Sequence, residues 1–167
     1  MEPGEMLGIA AQIAVALAGF AGVVVVFGRV SAHEWSPIDR FRLRQLLTNS
    51  IFPLALCMIG LLLLAIRPAL GEVWRWCSGA AFVVFLQFSI GSVKAFRRLD
   101  LQKLQRPVVR RSFFYLSGAV GIAATLLQLY NAALLNAFWP FFAGIVVQLI
   151  GAMLQFARMI LVPPEQQ

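Results

Sequence analysis

Charge is scarce in this chain, and negative charge is the scarcer kind. Only 13% of the 167 residues are charged while 60% are hydrophobic; a soluble domain carries about a quarter charged residues to cover its surface. The seven acids, Glu2, Glu5, Glu34, Asp39, Glu72, Asp100 and Glu165, fall near the termini or between apolar runs, and the one histidine, His33, falls between two such runs. The apolar runs therefore hold no carboxylate or imidazole to relay a proton, ligate a metal or haem, or act as a general base. Intramembrane proteolysis, acyl transfer through a histidine–acid pair and carboxylate-driven proton coupling all lack their groups. Phosphate-cradling glycine motifs and zinc-ligand spacings are missing as well. The expectation is a protein that is not an enzyme, with no cofactor and no metal. Cysteine is equally sparse: Cys57 and Cys77 make neither a disulfide framework nor a metal site and read as small apolar packing residues.

What is abundant is long apolar sequence, with a mean hydropathy of +0.83. Five runs have the length of a bilayer crossing, at 7–28, 48–66, 76–95, 112–130 and 138–158. The fold class read from them is an all-α membrane protein, a single bundle of about five transmembrane helices with basic amphipathic cytoplasmic segments. Residues 1–167 form one transmembrane domain, since spans and short loops use the whole length. The first run follows a short acidic segment without basic residues and exceeds a signal-peptide core, so it reads as an uncleaved span.

The basic residues set direction. Lys94, Arg97, Arg98, Lys103, Arg106, Arg110 and Arg111 lie in one stretch against a single acid, Asp100. Such a loop stays on the cytoplasmic side of a membrane. Fixing it there places the N-terminus outside and the C-terminus inside, with Arg67 and Arg75 as the two basic residues of the outer face. Trp74, Trp76, Tyr130 and Trp139 then fall at the outer interface, and Trp35 and Tyr115 at the inner one, as aromatic belts do. The net charge of +7 is explained by this topology, and nucleic acid is not an expected partner. Arg40, Arg42, Arg44, Arg97, Arg98, Lys103, Arg106, Arg110 and Arg111 are the expected contacts to anionic lipid head groups.

Local signals refine the spans. Ser36-Pro37-Ile38-Asp39 reads as a helix start, with Ser36 as N-cap and Pro37 at the first helical position; this helix is expected to lie at the interface before turning into the second span. Pro53 is expected to kink that span or mark the turn. The third helix is expected to continue through Gln105 until Pro107 breaks it. Asn131 and Asn136 border a short turn between the last two spans.

Two features suggest use. Ala10, Ala14, Ala18 and Gly22 recur every fourth residue, a small-residue strip of the kind that lets helices approach closely in lipid. Gln12, Gln87, Gln128 and Gln148, with Gln155 and Asn131 beside them, are the amides within or bordering the spans. They serve either as interhelical hydrogen bonds or as the lining of a polar path for a small solute. A six-residue likeness between Phe20–Val25 and Phe142–Val147 is too short and too apolar to establish a repeat.

The segments AGFAGVVVVFGR, WSPIDRFRLRQLL and EVWRWCSG together resemble a pattern found in a family of small bacterial multi-pass inner-membrane proteins of uncharacterised activity. The resemblance covers roughly the first half of the chain, with WSPxDRxRLR its most specific part. It implies a bacterial inner (cytoplasmic) membrane location and transfers no functional residues. The leading expectation is a non-enzymatic structural or interaction protein that meets itself as a homo-oligomer, or meets a partner membrane protein. The alternative is a small-solute channel or transporter with an amide-lined path.

Overall fold

Every described element is a helix. The computed structural model describes residues 1–27, 37–66, 72–102 and 108–161, with side chains over 1–23, 43–66, 72–94 and 116–157. Helix α1 spans Pro3–Phe27, α2 Pro37–Ile66, α3 Val73–Gln102 and α4 Val108–Tyr130. A single π-helical turn, Asn131–Leu135, follows α4, and α5 spans Phe138–Leu161. Each of the five α-helices contains a stretch long and apolar enough to cross a membrane. No such stretch is more than 39% buried, so most of the apolar surface faces outward, as it must where lipid is the solvent.

Helix starts follow local chemistry. Pro3 opens α1, and the backbone N–H of Glu2 donates to the Glu5 carboxylate at 3.2 Å, a reach-back like that of a capping box. Pro37 opens α2, the position where a missing N–H costs nothing; Ser36, its expected cap, lies outside the described residues. Glu72 precedes α3, and its carbonyl accepts from the N–H groups of Arg75 and Trp76 at 3.1 and 3.3 Å.

The helices are longer than the apolar runs alone. The interfacial segment expected to turn into the second span is instead the first part of one helix, α2, with Pro53 inside it and buried. Helix α3 passes the end of its apolar run and reaches Gln102; Lys103, Gln105, Arg106 and Pro107 lie outside the described residues. So do the side chains of Arg40, Arg42, Arg97, Arg98, Arg110 and Arg111, while Arg44 is described and exposed. Within the spans, hydroxyls turn back on their own helices: Thr48 donates to the Arg44 carbonyl at 2.7 Å, Ser50 to Leu46 at 2.9 Å and Thr125 to Gly121 at 2.8 Å. This self-satisfaction lets a hydroxyl sit in an apolar helix.

The chain forms two compact bodies. The first comprises Met1–Leu62 and Ile145–Gln167, the second Leu63–Gly144. In the first, Leu7, Ala10, Ala14, Leu17 and Ala21 form the buried face of α1. The Phe20 and Phe156 rings meet at 5.6 Å, and Asn49 of α2 lies against Gly151 of α5. In the second, Cys77, Ala81 and Phe85 are buried on α3, Ala124 and Gln128 on α4, and Phe141 on α5. Trp74 is half-buried there rather than free at the surface, its ring 4.8 Å from that of Phe138. Both cysteines are free and buried.

Candidate functional site

The polar groups of the second body gather where α4 passes into α5. Seven residues, NAALLNA over 131–137, reverse the chain. A reversal between antiparallel helices strands carbonyls at the end of one helix and amides at the start of the next. Here the fully buried Asn131 pairs its side-chain amide with both backbone groups of Ala137, just before α5. Its Oδ1 accepts from the Ala137 N–H and its Nδ2 donates to the Ala137 carbonyl, each at 2.9 Å. One side chain thus acts as a peptide unit in the turn.

The same residue reaches a second element. Asn131 Nδ2 also donates to the Ser78 hydroxyl at 2.6 Å, joining the π-turn to α3 across 53 positions of sequence. The π-turn ends with the Asn136 N–H donating to the Asn131 carbonyl at 2.9 Å. Asn136 itself is left-handed, with φ 48° and ψ 45°, a conformation asparagine adopts more readily than other non-glycine residues. That turn carries the Asn136 Oδ1 to the first turn of α3, where the Arg75 N–H donates to it at 2.8 Å. Asn136 thereby supplies from a distance what an N-cap residue supplies locally.

Gln128 extends the network one turn down α4. It is fully buried, and its Nε2 donates to the Pro140 carbonyl at 2.7 Å. The approach needs Gly144: a Cβ there would lie 2.5 Å from Gln128 Nε2 and 3.0 Å from the Phe85 ring. Gln128 Oε1 is buried without a hydrogen-bond partner among the described residues. Glu72 and Arg75 pair at 3.0 Å on the exposed rim, where such a pair contributes little.

The other expected polar residues are distributed differently. Gln87, in the same body as Gln128, is exposed and outside this cluster, and Gln12 is exposed as well. Gln148, in the first body, is buried with its Oε1 lacking a partner among the described residues; Gln155 is half-buried. Of the small-residue strip, Ala10 and Ala14 are buried, Ala18 is half-buried and Gly22 is exposed. The parts that sequence reasoning missed are Ser78, the distant role of Asn136, the Gly144 clearance, and Asn49 in the first body. The asparagine pair bracketing NAALLN was the available signal, and nothing in the sequence pointed from it to Ser78.

The chemistry of this cluster is neutral hydrogen bonding between amides, one hydroxyl and backbone. Among the described residues no group of His, Cys, Asp or Glu is placed to hold a metal ion. The fold and this cluster define a helical protein with five membrane-length helices and a buried amide lock at one hairpin. Comparison with protein-family models, with curated proteins and with solved structures returns no match.

Proposed function

We propose that this chain is a multi-pass protein of the bacterial inner membrane, N-terminus outside and C-terminus cytoplasmic, with a structural or interaction role and no catalytic one. It associates with itself or with a partner membrane protein and meets anionic lipid through its basic cytoplasmic segments. The observation that carries this reading is the commitment of Asn131 and Gln128 to their own hairpin. Amides that bind a passing solute must be free to exchange partners, whereas these hold backbone groups of the turn and of α5. The outward-facing apolar surface supports residence in lipid, and the clustering of basic residues supports the orientation.

The channel reading has the Oε1 atoms of buried Gln148 and Gln128 on its side, neither of which has a hydrogen-bond partner among the described residues. The two readings separate on Gln148→Leu and Gln87→Leu. If the amides only bridge helices, Gln148→Leu costs about 1 kcal/mol or less, Gln87→Leu costs nothing measurable, and association in the membrane persists. The measurement pairs thermal stability with vesicle swelling in a panel of small neutral solutes. Wild-type swelling that disappears in variants of unchanged stability would replace the structural reading with the channel.

A further inference from the structure

One amide of the first body faces away from everything its helix packs against. The buried side of α1 is formed by Leu7, Ala10, Ala14, Leu17 and Ala21. Gln12 stands two residues from both Ala10 and Ala14, about 160° around the helix from each, and it is exposed. The membrane-length stretch of α1 runs Pro3–Val23. Gln12 lies near its middle, about 14 Å from one end and about 16 Å from the other at the helical rise. That is too deep for the side chain to bend to a head group. Polar groups inside spans avoid the cost of hydrocarbon by facing protein or a wet cavity. Lipid is therefore the wrong neighbour for this side of α1.

The surface around Gln12 is also cut low. Gly8 and Ala16 lie one turn to either side of it and Gly19 two turns along, close to one line down the helix. A Cβ at Gly8 or Gly19 would meet nothing within 4 Å, so no contact among the described residues requires glycine there. Glycine in a helix interior is disfavoured against alanine. A helix from outside the chain gives both glycines a use, because bare backbone is where helices come closest in lipid. Gln87, also exposed, differs on both counts. It lies about 10 Å from the end of its stretch at Lys94, and exposed Val83, Leu86 and Ile90 stand round it.

Depth selects the neighbour. Copies of one chain insert in one direction, since the same basic residues orient each of them. A second copy therefore brings its own Gln12 to the same level, and a two-fold axis along the membrane normal sets the two face to face. An amide is its own complement, donating through Nε2 and accepting through Oε1. Glu5 shares this side of α1 and is exposed, but it lies at the end of the stretch, where head groups and water take its charge.

We propose that α1 is the contact between two copies of this chain, packed through Gly8, Ala16 and Gly19 around a hydrogen-bonded pair of Gln12 side chains at mid-membrane. The inference rests on the membrane and association reading given above and narrows its partner to a second copy.

Full chains carrying a donor or an acceptor fluorophore at the C-terminus are mixed in phosphatidylcholine–phosphatidylglycerol vesicles, and energy transfer is followed as lipid is added. Wild type should transfer energy well above the level of chance encounter. Gln12→Leu should raise the apparent dissociation constant about tenfold, as the loss of two interhelical amide bonds implies. Gly19→Leu should raise it at least as much, and Gln87→Leu should leave it unchanged. The melting of dilute Gln12→Leu should match wild type, since leucine is at home in lipid. In membranes of expressing cells, Ala16→Cys should oxidise to a disulfide dimer, which needs Cα atoms within about 7 Å; wild type, with both cysteines buried, should not. Chance-level transfer in wild type, unchanged association in Gln12→Leu, a lowered melt of its dilute form, or no dimer from Ala16→Cys overturns the contact. Carbonate extraction separates the failures: a chain released from the membrane loses the membrane reading, and a chain retained without dimers loses only this contact.

Discussion

Gly144 has no room for a methyl group, and the reason is a hydrogen bond rather than a crowded apolar core. Gln128 Nε2 reaches the Pro140 carbonyl by passing over the Gly144 Cα, where a Cβ would come within 2.5 Å. Gly144→Ala must therefore displace the amide or push α5 away, at about 1–3 kcal/mol. Shortening the amide in Gln128→Ala frees most of that space, although the Phe85 ring at 3.0 Å stays. Their penalties should thus be less than additive by about 1 kcal/mol, read from unfolding in bicelles, and strict additivity would refute this account of the glycine. Asn131 sets a larger stake. Asn131→Ala removes the partner of the Ala137 N–H and C=O and the link to Ser78 together. We expect a loss of about 2–4 kcal/mol, above that of Asn136→Ala, which removes an acceptor of the Arg75 N–H while that N–H keeps the Glu72 carbonyl. Equal losses from the two asparagines would show that Asn131 is not the keystone of the turn.

At the scale of elements, α1 shows how a four-residue period parts company with a buried face. Each step of four residues advances about 40° around a helix, so a strip from Ala10 to Gly22 winds roughly a third of the way round. The buried positions, Leu7, Ala10, Ala14, Leu17 and Ala21, alternate steps of three and four and stay on one side. Ala14→Leu should accordingly lower the melting temperature by overpacking, at about 1–3 kcal/mol, while Gly22→Leu leaves melting unchanged. A wild-type melt for Ala14→Leu would sink the packing role of this face; a change of particle size in Gly22→Leu alone would move the strip's role to contact between copies. The five apolar helices were legible because lipid demands unbroken apolar runs and because proline and charge end them. Pro37 at the head of α2 was legible for a similarly local reason. The amide lock was not, since its bonds span 53 and 61 positions of sequence and depend on a π-turn that no composition signals. The role of Gly144 was hidden for the same reason, because glycine in an apolar helix looks alike whether it faces lipid or a glutamine.

Over the whole molecule, direction is decided by where charge is cheapest to leave. Twelve of the 14 basic residues lie on or beside the two connections and the tail assigned to the cytoplasm, and reversing the chain would carry nearly all of them across. The absence of charge from the α4–α5 connection is in keeping with this assignment, since it is one of the two connections that would cross, the other being the one with Arg67 and Arg75. A reporter active only in the cytoplasm should therefore be active when fused after Arg106 or after Gln167, and silent when inserted after Gly71. An odd number of crossings requires the two ends of the chain to report opposite sides, so the same reporter placed before Met1 should be silent. Activity after Gly71 together with silence after Arg106 would invert the topology. Activity at both would mean that the second and third helices do not cross, leaving the apolar surface of α2 and α3 to be covered by protein instead of lipid.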